Sequence, residues 1–290
     1  MTTSVNDKII NACIITVVTF ASFLCLVPIL HLVSISLSSN AAILSNQVTL
    51  FPVEWSTLAY ETVLKDVKMF KSLLFTILLV VLFTTICMVM TICAAYPLTK
   101  SRLKGRDFFL LMILFTMFFS GGLIPEYLLV KSLKLTNTIW ALVLPGMVNA
   151  FYLIILKSFF TSIPEELEES ARMDGSSHFG TLIRIVLPLS MPVLATLSLF
   201  YAVGRWNAFM DALFYITNQD LYPIQLKLYQ LVISNQMSDS MATEGMSATA
   251  PIPESLKAAS IMFATVPILL VYPWLQRYFI SGMMIGAVKG

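Results

Sequence analysis

Six long apolar runs alternate with shorter polar intervals along the chain, covering residues 9–37, 70–95, 108–124, 139–156, 185–205 and 258–279. Each approaches or exceeds the length, about 20 mostly apolar residues, that a helix needs to cross the hydrocarbon layer. The pattern predicts an all-α, polytopic membrane protein with six transmembrane helices, forming a single transmembrane domain over residues 1–290. The first run is too long for a cleaved signal peptide, and its charged leader is only Asp7-Lys8, so it is expected to remain as a span.

The polar intervals set the expected orientation. Lys100, Arg102, Lys104 and Arg106 alternate between the second and third runs, and such a basic cluster stays in the cytoplasm. Both termini are then cytoplasmic, as is the interval 158–184. Residues 38–69 and 216–257 face outward, the first as a folded interfacial loop and the second as the longest connection in the chain. The part at 234–253 is rich in Ser, Met, Ala and Thr, so it is expected to be either functional or partly disordered.

The interval 162–188 is the most acidic and polar one on the cytoplasmic side, and it spells two short helices joined by a glycine. Ser162 with Glu165 three residues later predicts a capping box, with Pro164 in the first turn and Glu165 and Glu166 against the positive end of the helix dipole. Ile163, Leu167 and Ala171 recur on one face. Gly175 follows Asp174 where a left-handed C′ residue is wanted, and Ser176 or Ser177 can cap the second helix. Phe179, Leu182, Ile183 and Val186 give that helix an apolar stripe before Pro188. On shape alone, a helix pair lying flat on a membrane fits as well.

Composition narrows the class. With 58% apolar and 12% charged residues and a mean hydropathy of +0.84, the chain departs far from soluble domains, in which roughly 25% of residues are charged. The net charge of +2 comes without a basic tract or nucleic-acid motif, so no nucleic-acid partner is expected. Cys13, Cys25, Cys87 and Cys93 lie inside apolar runs and read as small core residues. His31 and His178 are too far apart to nucleate a metal site, and no phosphate-binding loop or nucleophile motif is present. No catalytic residue and no metal are therefore expected in this chain.

Prolines 28, 145, 188, 192, 267 and 273 fall in or at the ends of the spans, which predicts kinked helices with backbone groups satisfied by neighbours or a water-lined cavity. His31, near Pro28, is expected to bond a freed carbonyl. Near the outer end of the fifth span, Tyr201 to Asp211 interleaves aromatic, amide and charged groups. That chemistry suits sugar rings, and equally an ordinary interfacial belt. Asn149, Tyr201, Trp206 and Asn207 are the candidate substrate-pathway residues.

Glu169-Ser170-Ala171, three residues, Gly175, nine residues, then Ile185-x-Leu187-Pro188 resembles the coupling loop of permease subunits of ATP-binding-cassette importers. The family pattern has Ala where this chain has Ser170. Phe119 to Pro125, Gln276 to Phe279 and Ser281 to Gly290 resemble the carbohydrate-type members, the half similar to the second maltose permease. The resemblance implies a bacterial plasma-membrane protein that pairs with a second permease, two ATPase subunits and an extracytoplasmic sugar-binding protein. ATP and Mg would be bound by the ATPase and no cofactor by this chain. Glu169, Ser170, Ala171, Asp174, Gly175, Ile185, Leu187 and Pro188 are then the residues that couple to the ATPase. By position, Tyr222 to Pro253 and Gly286 to Gly290 match segments that approach the binding protein and the ATPase. The implied mechanism is alternating access with an oligosaccharide as cargo. The competing class is an ion-coupled secondary transporter, which would want intramembrane carboxylates, yet the six runs contain no Asp or Glu.

Overall fold

The fold is a succession of helices, as the apolar runs require. The computed structural model describes residues 5–243 and 253–287. In chain order the helices are α1 (Val5–Ser36), α2 (Asn40–Leu44), α3 (Leu58–Lys65), α4 (Val67–Ala95), α5 (Arg106–Phe118), α6 (Leu123–Ser132), α7 (Trp140–Val143) and α8 (Ala150–Thr161). They continue as α9 (Glu165–Met173), α10 (His178–Thr181), α11 (Leu187–Leu189), α12 (Met191–Asn207), α13 (Met210–Tyr215), α14 (Ile224–Thr243) and α15 (Glu254–Ala287). Short 3₁₀ turns occupy Pro97–Thr99 and Gln219–Leu221, and a π-helical turn, Leu182–Val186, joins α10 to α11. Among the described residues the β pairing amounts to one antiparallel bridge between Ser38 and Trp55.

Among the described residues, three helical stretches are by themselves long and apolar enough to cross a membrane: Ile10–Ser36, Val67–Thr99 and Glu254–Val271. Two further apolar helix pairs among the described residues are sharply bent at a break. Arg106–Phe118 and Leu123–Ser132 meet at 116°, and His178–Leu189 and Met191–Asn207 meet at 83°. The first break lies at Gly121-Gly122, near the end of the third apolar run, and the second lies between Pro188 and Pro192, at the start of the fifth, where the prolines predict a kink. At the first, Phe119 turns extended and Gly122 adopts φ +85°, a conformation that leaves the helix ladder and suits glycine. At the second, Pro188 and Pro192 each lack a donor, and the Ser190 N–H is shared between the carbonyls of Val186 and Leu187, at 3.0 and 3.1 Å.

The fourth expected span, 139–156, is also not one helix. Between α7 and α8 the chain runs through Pro145-Gly146, and Asn149 is extended with its side chain accepting from the Tyr152 N–H at 3.1 Å. Asn149 thus starts α8 afresh, because a proline and an N-cap residue within five positions favour a restart over continuation.

Contacts divide the chain into two units, Met1–Phe70 with Leu228–Pro267, and Lys71–Lys227 with Ile268–Gly290. In the first, the segment after α1 folds against that helix through polar side chains. Ser34 Oγ donates to the Leu50 carbonyl at 2.7 Å, Ser36 Oγ lies 2.9 Å from Tyr60 Oη, and the Val53 N–H donates to Ser38 Oγ at 3.0 Å. His31 Nδ1 bonds the Thr49 carbonyl at 2.6 Å, so its partner comes from this loop and not from a carbonyl freed by Pro28. Ser255 Oγ donates to Asn40 Oδ1 at 2.6 Å, tying the start of α15 to α2.

In the second unit α4, α8 and α12 supply the core, with Leu79, Leu153, Leu156 and Leu197 fully buried. Elsewhere apolar side chains face outward, including Ile14, Val17, Phe20 and Leu24 on α1 and Phe108, Leu111 and Phe115 on α5. Leaving that much apolar area in water costs about 25 cal/mol per Å², so these faces belong against lipid or protein. Cysteine follows the same division. Cys87 is buried, whereas Cys13, Cys25 and Cys93 are exposed on helix faces and are not the core residues the apolar runs predict. Within 234–253, α14 extends through Thr243, and 244–252 lies outside the described residues. So do 288–290 and the side chains of Gln276 to Phe279 and Gly286.

Candidate functional site

The acidic interval 162–188 folds into two short helices around a glycine. Its start differs from the expected capping box. Ser162 closes α8, donating its hydroxyl to the Phe159 carbonyl at 2.7 Å, and α9 begins at Glu165 with Pro164 at the cap position and no side-chain cap. Pro164 needs no partner for a missing N–H, and Glu165, Glu166 and Glu168 in the first turn complement the helix dipole instead.

The other end follows the sequence reading. Asp174 closes α9 and Gly175 adopts φ +80°. The Gly175 N–H donates to the Arg172 carbonyl at 3.0 Å and the Ser176 N–H to that of Ala171 at 2.9 Å, the paired bonds of a Schellman turn. Ser177 then caps α10 by accepting from the Gly180 N–H at 3.1 Å.

The buried face of α9 is turned from the expected one. Leu167 is exposed and Ala171 is buried, and beside Ala171 it is Glu168, 6% exposed, that faces inward. Three groups hold its Oε2. Lys100 Nζ makes the closest ion pair, Tyr96 Oη donates at 3.2 Å, and Arg172 Nη2 lies 3.6 Å away. Lys100 Nζ also sits 4.4 Å from the centre of the Tyr96 ring, which meets Phe160 edge-on at 6.3 Å. The basic cluster therefore splits: Lys100 turns into this site, Arg106 pairs with Asp107 at 3.2 Å, and Arg102 and Lys104 are exposed.

Among the candidate coupling residues, Glu169, Ser170, Asp174, Gly175 and Pro188 are exposed, Ile185 and Leu187 are half-buried, and Ala171 is buried. Ser170 turns its hydroxyl back to the Glu166 carbonyl at 2.9 Å. The expected stripe on the second helix is divided, with Leu182 and Val186 buried and Phe179 and Ile183 exposed. Leu167 and Met173 on α9 are exposed as well, Met173 at 90%, as are Glu169 and Asp174.

At the far end of α12 a second polar group is assembled. Tyr201 Oη lies 2.9 Å from Thr91 Oγ1 and accepts the Asn149 N–H at 3.2 Å, so two of the candidate pathway residues meet between α4, α8 and α12. Trp206 is buried, and Asn207 is exposed with its amide donating to the Val203 carbonyl at 3.1 Å. Arg205, which composition alone does not single out, is buried. It pairs with Asp211 through both terminal nitrogens, the Nη2 bond measuring 2.9 Å, and donates to the Leu142 carbonyl at 3.0 Å. Nearby, Asn137 gathers the next loop, its Oδ1 accepting from the Thr217 and Asn218 N–H groups at 2.8 and 2.9 Å. Burial first, and then the hydrogen bond with Glu126, push the Tyr215 phenol up to about 12.

Apolar helices with two sharply bent pairs, a capped polar hairpin at one end of α12 and a buried ion pair at the other are consistent with a transport permease. The description "binding-protein-dependent transport system inner membrane component" matches residues 107–285, and the chain belongs to that family. It is 42% identical over 270 residues to the polygalacturonan/rhamnogalacturonan transport system permease protein YtcP of Bacillus subtilis strain 168, covering 93% of this chain and 94% of that one. It is also 42% identical over 285 residues to protein LplC of the same organism, covering 98% and 96%. The crystal structure of a bacterial ABC transporter involved in the import of the acidic polysaccharide alginate contains a chain that superposes with a TM-score of 0.86 at 30% identity, covering 96% of this chain and 99% of that one.

Proposed function

We propose that this chain forms half of the translocation pathway of an ATP-driven, binding-protein-dependent carbohydrate importer in a bacterial plasma membrane. It pairs with a second, homologous permease, and both termini face the cytoplasm. Two ATPase subunits, which bind ATP and Mg, dock on the 162–188 hairpin, and an extracytoplasmic binding protein delivers the cargo. Uronic-acid oligosaccharides are the first cargo to test, since YtcP is named for polygalacturonan and the alginate importer for an acidic polysaccharide.

The observation that carries the coupling role is the arrangement of the hairpin. A loop that served only to connect two spans would bury its apolar side chains, yet Leu167, Met173, Phe179 and Ile183 are exposed on the same hairpin as the exposed carboxylates of Glu169 and Asp174. Exposed apolar side chains together with carboxylates are what a protein partner with a basic rim accepts. Glu169 and Asp174 supply those carboxylates, Gly175 sets the turn, and Ile185, Leu187 and Pro188 connect the hairpin to α12.

Proteoliposomes containing this chain, its partner permease, the ATPase and the binding protein are expected to accumulate labelled oligogalacturonate with ATP. Omission of the ATPase or the binding protein is expected to stop uptake. Uptake driven by an ion gradient without the ATPase overturns the reading in favour of a secondary transporter.

A further inference from the structure

Besides its short link to α8 through residues 162–164, the hairpin is joined to the membrane helices by two further routes. One is covalent and runs from Gly175 through the π-helical turn Leu182–Val186 and the 83° bend into α12. The other crosses space, from Glu168 on α9 to Lys100 and Tyr96 immediately beyond α4. Glu168 is 6% exposed, so this contact is shielded from the water and salt that weaken surface ion pairs. Separating it would leave the carboxylate, in a poorly solvated place, with only the Arg172 contact at 3.6 Å from its own helix, which is costlier than losing an exposed pair. Farther along the same helices, α4 and α12 are joined again by Thr91 and Tyr201. The contacts close a ring: α9, Lys100, α4, Thr91, Tyr201, α12 and the bend back to α9.

We propose that Glu168 is a positioning residue that pins the coupling helix to the end of α4, so that α9, α4 and α12 move as one body when the ATPase closes. The inference rests on the importer reading above. The covalent route into α12 by itself passes through a bend and a π-helical turn, where helix geometry changes most readily. With the pin in place, displacement of α9 reaches α4 directly, and the Thr91–Tyr201 contact keeps α12 in step. Glu169, one position along, faces away and serves the partner; Glu168 serves the chain itself.

The test uses the complete transporter in proteoliposomes, with oligogalacturonate moved per ATP hydrolysed as the readout. Glu168→Gln and Lys100→Met are expected to lower that ratio about tenfold, the size of an ordinary coupling free energy between sites, whereas Glu168→Asp and Lys100→Arg retain most of it. A ratio in Glu168→Gln equal to wild type overturns the pin while leaving the importer reading intact. Wild-type vesicles that move nothing with ATP overturn the importer reading itself. As a second measurement, spin labels at Glu166 and Arg102, both exposed, report the distance from α9 to the end of α4 in an otherwise wild-type, cysteine-depleted transporter. A distance unchanged between the nucleotide-free and ATP-bound states supports the pin, and one that changes with ATP overturns it, whether or not the Glu168 variants assemble.

Discussion

The Tyr201 hydroxyl lies 2.9 Å from that of Thr91, a residue 110 positions earlier in the chain, and also accepts the Asn149 N–H. One phenol thereby ties α4, the start of α8 and α12 together. Its ring is packed edge-on against Tyr152 at 4.8 Å and Phe83 at 6.1 Å. Tyr201→Phe keeps the ring and removes the junction. Each lost buried hydrogen bond costs about 1 kcal/mol, so the purified subunit is expected to melt several degrees lower, read by intrinsic-fluorescence thermal denaturation in detergent.

Gly175 tests the turn of the 162–188 hairpin. A Cβ there would meet nothing within 4 Å, so the penalty of substitution is conformational, from φ +80°. For a residue with a Cβ that conformation costs about 1–2 kcal/mol, and a β-branched side chain fares worst. Gly175→Val is expected to abolish ATP-driven uptake with normal membrane insertion, while Gly175→Asn, which tolerates the left-handed region, transports. Immunoblots of membranes and vesicle uptake separate the two effects.

Glu169 and Glu168 are neighbours with opposite surroundings, one exposed and one enclosed by Lys100, Arg172 and Tyr96. Glu169→Lys reverses a charge on the surface assigned to the ATPase. It is expected to leave the melting temperature of the isolated subunit unchanged and to stop capture of the ATPase in a pull-down. A shifted melting temperature with normal capture would reassign Glu169 to the fold.

Arg205 and Asp211 form a buried pair, the arginine side chain 4% and the aspartate 27% exposed. Removing one partner of such a pair costs about 3 kcal/mol or more, so Arg205→Leu and Asp211→Asn should each accelerate thermal inactivation strongly. The two changes share one interaction, and the double variant is expected to lose less than their sum. Thermal inactivation half-lives of the four proteins complete that cycle.

Much of this molecule is legible without coordinates because the signals are local. An apolar run must become a helix in lipid, since no other single-segment structure satisfies its own backbone. Gly175 after Asp174 marks a helix end for the same kind of reason, and the spacing from Glu169 to Pro188 carries the resemblance to the family. Local signals mislead where two compete. Ser162 has the chemistry of a helix start, but its hydroxyl ends α8, and Pro164 begins α9. The run at 139–156 has the composition of one span, but Pro145 and the cap supplied by Asn149 divide it.

What periodicity and spacing could not reach is which of two adjacent glutamates faces inward. Successive helix residues point about 100° apart, so the choice rests on what stands beside the helix. For Glu168 those neighbours are Lys100 and Tyr96, 68 and 72 positions away. The same holds for Tyr201 with Thr91 and for Arg205 with the Leu142 carbonyl. Helix type and turn position follow from a few consecutive residues, while the partners of a buried polar group depend on how distant segments pack, and no window of sequence contains both.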